Sequence, residues 1–331
     1  SQTDAETLRF LNDAVVLEQT TTLTGDTLVT FAITVDSAAN EQNSLTVNSP
    51  TTVFNGNVGT AANGALGSLT TDAAGTTTLN AAQFTTAGNT MTFNDAVVLT
   101  QDVTLTDTGT TGVTFNSTVD SDATARDLTI AAGTGDVTFA GAVGGTSALD
   151  ELTISSAQDV TINGAVNAAG VTQTTGTGTT TVNAAVTTTG ATGIALTNPA
   201  IVQNANLTAA GASPISVTAA TGDLTMAAGS SAATDTGTIT YTAQGNAAIA
   251  ALTTGGTANV TATTGAITDT NGAAVNVSAA NLVSGAATGI DLDTTVTNLT
   301  ATNTGVGNVI VNETDGANVL NVGAANGNAT V

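Results

Sequence analysis

Carboxylates are the main chemically active side chains this sequence offers. Asp120, Asp122 and Asp127 fall in one inter-strand segment, Asp150 and Glu151 are adjacent, and Asp291 and Asp293 share one strand face. Hard cations need several converging oxygens, carboxylate and backbone carbonyl alike. Asp120, Asp122 and Asp127 are therefore the candidates for a calcium site. The Gly-Gly-x-Gly-x-Asp calcium repeat is absent, so the same acids also read as solvated turn residues. Paired carboxylates can hydrolyse glycosides, but β-helical lyases and hydrolases hold polar substrates with basic or aromatic residues, and this chain has few of either.

The rest of the inventory works by exclusion. The 331 residues include 25 Asp+Glu and two Arg (Arg9 and Arg126), with no Lys, His or Cys. Without His and Cys there is no Ser-His-Asp or Cys-His pair and no ordinary zinc site. Without Lys there is no Schiff base and no P-loop lysine. A net charge of −23 repels a nucleic-acid backbone. The expectation is a protein that is not an enzyme, takes no cofactor other than calcium, and binds no nucleic acid. No apolar run is long enough for a membrane helix, and one Tyr, no Trp and seven Phe cannot build the girdles of a membrane barrel.

These residues must be positioned by strands. Hydrophobic residues make up 41% of the chain, which separates it from disordered acidic sequences. Apolar-Thr-apolar triplets recur at Val113-Thr114-Phe115, Leu128-Thr129-Ile130, Val137-Thr138-Phe139, Leu152-Thr153-Ile154 and Val160-Thr161-Ile162. Alternation along a strand puts both apolar residues of a triplet on one side and Thr on the other. Alternate triplets lie 23 or 24 residues apart here. Later spacings of 21 to 23 run from Ile239 to Val260, Ile267 to Ile290 and Val277 to Leu299. Short strands returning at this interval predict a parallel β-helix, a solenoid with coils of about 21–25 residues. A β-sandwich would want longer strands and larger core side chains, and propeller blades repeat at a longer period with aromatic signatures.

A longer repeat overlies the coils. Asn12-Asp13-Ala14-Val15-Val16-Leu17 returns as Asn94-Asp95-Ala96-Val97-Val98-Leu99, Val35-Asp36-Ser37 as Val119-Asp120-Ser121, and Phe54-x-Gly56-x-Val58-Gly59 as Phe139-x-Gly141-x-Val143-Gly144. The offset is about 83 residues. All seven Phe lie at or before Phe139, after which Ala, Val, Ile and Asn dominate. The expected organisation is a Phe-containing β-helix over residues 1–176 that continues over 177–331 with a narrower core.

Stretches such as Thr52-Val53-Phe54-Asn55-Gly56-Asn57-Val58-Gly59 and Gly265-Ala266-Ile267-Thr268-Asp269 resemble the strand repeats of large bacterial surface proteins, the filamentous-haemagglutinin-like and autotransporter-passenger adhesins. The resemblance implies a right-handed parallel β-helix, a rod that is secreted to the cell surface or extracellular matrix and serves adhesion, aggregation or biofilm. The partners it implies are surface glycans or a host or neighbouring cell surface. Strand-like sequence runs from Phe10 to Val322 with no polar helical cap, so more coils of the same kind, in a longer chain or in stacked copies forming a filament or sheath, are the other expected partner. Thr runs at Thr20–Thr22, Thr76–Thr78, Thr179–Thr181 and Thr187–Thr189 raise one more expectation, a Thr-x-Thr array of the kind ice-binding proteins display.

Overall fold

The computed structural model describes residues 4–331. It is all-β, with no helix and with parallel strands stacked in about 15 turns of β-solenoid. These divide into two compact units, Ser1–Ala168 and Ala169–Val331.

In the first unit each coil contributes strands to three faces. One face stacks residues 21–24 on Leu45–Asn48, Leu69–Thr71, Met91–Phe93, Gly112–Phe115, Asp136–Phe139 and Val160–Ile162. The second runs through Thr51–Phe54, Thr76–Leu79, Ala96–Leu99 and Val119–Ser121. The third runs from Val35 through Val58 to Phe84, Leu105, Ile130 and Ile154. The triplets alternate as the sequence requires: in Met91–Phe93 and Val160–Ile162 both apolar residues are buried and the central Thr is half-exposed.

Phe residues stack directly on one another between coils. Phe10, Phe31 and Phe54 lie parallel with centroids 5.1 Å apart, and Phe93, Phe115 and Phe139 form an equivalent stack at 5.1 and 5.4 Å. One set is the copy of the other in the long repeat, yet the first stands on the second face and the second on the first face. The cause is arithmetic. Four coils take Thr46 to Thr138, 92 residues on, whereas the sequence repeats after about 83. The duplicated segment is three coils and two faces long, so each copied motif reappears one face away from its original.

The motif Phe-x-Gly-x-Val-Gly keeps its geometry despite that shift. Gly59 and Gly144 have φ of +67° and +65°, a region that favours glycine. Their amides donate to Val35 and Val119 carbonyls at 2.7 Å in both copies. Gly56 and Gly141 sit against the backbone of Ile33 and Ser117, where a Cβ would collide.

In the second unit the stacking continues with wider variation in coil length. Ile201, Leu224 and Ala247 follow one another at 23 residues. Ile239 pairs with Ala258 rather than Val260, and Val277 with Thr294 rather than Leu299. Those coils take only 19 and 17 residues, below the interval read from the triplets, because their corners are trimmed. The second and third faces join in continuous strands such as Ala251–Ala262 and Ile290–Val306.

Candidate functional site: acidic corners and threonine columns

The three calcium candidates have separate tasks. Asp120 Oδ1 accepts the amides of Thr146 and Ser147 at 2.7 and 3.2 Å. Asp122 holds Arg126 in a fork, Nε to Oδ1 at 3.0 Å and an Arg126 terminal nitrogen to Oδ2 at 2.9 Å, and takes the Thr124 amide at 2.9 Å. Hydrogen bonds from Arg126 keep the Asp122 carboxyl below its ordinary range. Asp127 Oδ1 accepts the Glu151 amide at 3.0 Å. Among the described residues no group of three or more acidic side chains is placed as metal ligands would be.

The Asp127 contact belongs to a common device. An acid at a corner, just before an apolar-Thr-apolar triplet, accepts the backbone N–H at the same corner one coil on. Asp102 takes the Asp127 amide at 3.1 Å, Asp127 that of Glu151, and Asp136 that of Asp159 at 3.1 Å. Asp223 takes Asn246 at 2.6 Å in the second unit. Asn57, Asn206 and Asn308 do the same with their side-chain oxygens. A chain leaving a strand at a corner has amides that the ladder does not satisfy, and a short side-chain oxygen supplies the acceptor. The signal was open to sequence reading: Asp102-Val103-Thr104-Leu105, Asp127-Leu128-Thr129-Ile130 and Asp159-Val160-Thr161-Ile162 share the pattern.

Asp36 and Asp120 are copies in the long repeat and do equivalent work. Asp36 Oδ1 accepts the Ala61 amide at 2.8 Å, 25 residues ahead, as Asp120 does for Thr146. The adjoining serines match too: Ser37 Oγ accepts the Asn43 amide at 2.7 Å and Ser121 Oγ the Arg126 amide at 3.0 Å. Val-Asp-Ser is thus a clamp on the loop that leaves the strand and on the loop stacked above it.

Asp13 and Asp95 are also copies, with opposite fates. Asp13 is exposed, whereas Asp95 is 1% exposed and accepts the Thr71 and Thr77 hydroxyls at 2.7 and 2.8 Å. Burial pushes the Asp95 carboxyl up, with the two hydroxyls opposing the shift. Asp107, equally buried, accepts the Gly109 and Gly112 amides at 3.1 and 2.8 Å and the Thr86 hydroxyl at 3.0 Å.

The Thr runs do not form the expected array. Strand alternation turns the central residue of three runs inward, so Thr77, Thr180 and Thr188 are fully buried. The rungs after Thr76 and Thr78 are Ala96 and Val98. A column forms instead from Thr22, the end of the first run, and threonines outside the runs: Thr46, Thr70, Thr92, Thr114, Thr138 and Thr161 follow it rung upon rung on the first face of the first unit. All but Thr22 and Thr70 are the centres of apolar-Thr-apolar triplets.

No family model matches the chain, and no curated protein and no solved structure matches it.

Proposed function

We propose that this chain is a non-enzymatic structural segment of an extracellular or cell-surface protein, a β-solenoid scaffold serving adhesion, aggregation or a matrix. The observation that carries the reading is where the polar side chains are spent. Corner acids and asparagines across both units accept amides of the neighbouring coil, at positions where a catalytic or ligand-binding acid would have to be left open. The residue types retained, Thr, Val, Ala, Asn and Asp, are those that stacking needs, and the acidic exterior disfavours nonspecific association.

The test is antibody labelling of intact source cells, together with an attachment assay on a strain lacking the protein. Labelling without permeabilisation and reduced attachment or aggregation are expected. Labelling that requires lysed cells, or unchanged attachment and aggregation in the deletion strain, removes the reading.

A further inference from the structure

Outward threonines pair in register on several faces, and the long columns of the two units differ in charge. The column from Thr22 to Thr161 in the first unit has Asp72, Asp136 and Asp159 two residues from its rungs. On the third face of the second unit Thr197, Thr218, Thr242, Thr261, Gly285 and Thr302 pair in succession. The neighbouring column, two residues earlier on each strand, runs from Ala195 to Thr300 through Ser216, Thr240, Asn259 and Val283. Neither column contains a charged residue, in a chain of net charge −23.

We propose that this neutral face binds ice. An ice surface is a rigid, uncharged lattice of water, so its partner must be rigid, uncharged and periodic in two directions. Strand pairing fixes one period at about 4.8 Å and the i, i+2 spacing fixes the other at roughly 6.6–6.8 Å. Both are set by backbone hydrogen bonds, and the side chains stand ordered before any contact is made, which limits the entropy lost on binding. Each threonine offers a hydroxyl to hold a water and a methyl to exclude one. A charged side chain would keep its own tight hydration shell instead, which disqualifies the acid-flanked column of the first unit.

The threonine column itself has one gap. Gly285 leaves a shallow depression of about 220 Å³ lined by Thr261, Ala262, Thr263, Gly285, Ala286 and Thr304. A Cβ built at Gly285 meets only Thr302 Oγ1, at 4.0 Å, and its φ lies outside the left-handed region. A threonine there would complete the column.

The inference does not rest on the surface-scaffold reading. Its test is thermal hysteresis and ice-recrystallisation inhibition by the full chain, with circular dichroism as a check on folding. Measurable hysteresis is expected, most of it lost in Thr242→Lys, kept in Thr114→Lys, and increased in Gly285→Thr. The proposal is overturned if the folded chain neither shows hysteresis nor enters growing ice, or if Thr114→Lys costs as much activity as Thr242→Lys. Retention on a neutral polysaccharide matrix without ice activity would overturn it as well, by assigning the face to another partner.

Discussion

The two units share one construction and fill it differently. Ser1–Ala168 packs by shape, with like aromatic rings in like positions on successive coils. Ala169–Val331 has one aromatic residue, Tyr241, and anchors it by a hydrogen bond: its buried hydroxyl donates to Gln203 Oε1 at 2.6 Å. Gln203 Nε2 in turn donates to the carbonyls of Ala205 and Ser231 at 3.0 and 2.9 Å. Nearby, the Thr180 hydroxyl donates to Gln173 and accepts from Asn198. Stacked rings need like partners on adjacent coils, which Phe residues one coil apart within each copy of the long repeat supply. An interior of Ala and Val has room for an occasional polar side chain, and most of the polar atoms find a partner, Gln173 Nε2 being an exception.

Four substitutions probe that contrast. Phe115→Ala is expected to do the most damage, about 3–5 kcal/mol, because the ring contacts Phe93 and Phe139 at once. Urea unfolding of the first unit should show it. Equal stability in the variant would mean that the stack fills space without holding coils together. Tyr241→Phe should cost about 1–3 kcal/mol by leaving Gln203 Oε1 buried without that donor, seen in unfolding of the second unit. A cost near zero would reduce the polar core to an accommodation. Gly144→Ala should cost more than about 1 kcal/mol, since φ is positive and the Asn167 carbonyl occupies the space a Cβ needs. Gly59→Ala, its copy on another face, should match it closely.

The smallest effect concerns pH and the divergent copies Asp13 and Asp95. Burial raises the Asp95 carboxyl above 3.8 in the folded chain. Its linkage contribution is therefore fully present below that value and is lost as pH rises through the folded pKa. Relative to Asp95→Asn, the native chain should gain stability as pH falls through the window just above 3.8. Unfolding curves across the acid range measure this, with Asp13→Asn, at the exposed copy, as the control. A difference of the opposite sign would show that the Thr71 and Thr77 hydroxyls outweigh burial.

Much of the fold was legible because strand alternation is a local property. Val137-Thr138-Phe139 announces two buried residues around one outward threonine, and glycines at 56, 59, 141 and 144 mark positions where the backbone leaves no room for a side chain or adopts positive φ. The acids were harder. Asp120, Asp122 and Asp127 looked like a group because they are near in sequence, but only Asp122 has its partners nearby, in Thr124 and Arg126, while Asp120 and Asp127 accept amides one coil on. The Thr runs misled for the converse reason: they draw the eye, while the aligned residues are 22 to 24 apart and come mostly from the triplets.

The sequence by itself determined the class of structure, the approximate coil, the duplication and the outward character of threonine, all of which follow from periodicity and the steric demands of single residues. Only the tertiary structure decided how the duplication falls upon the coil. Register is a running sum over every corner, and corners differ by a few residues, so a period of about 83 meets four coils of 92 out of phase by one face. That sum places Asp95 under two threonine hydroxyls while Asp13 faces water. In the second unit, the same accumulation of coil lengths brings threonines from separate coils into one uncharged column.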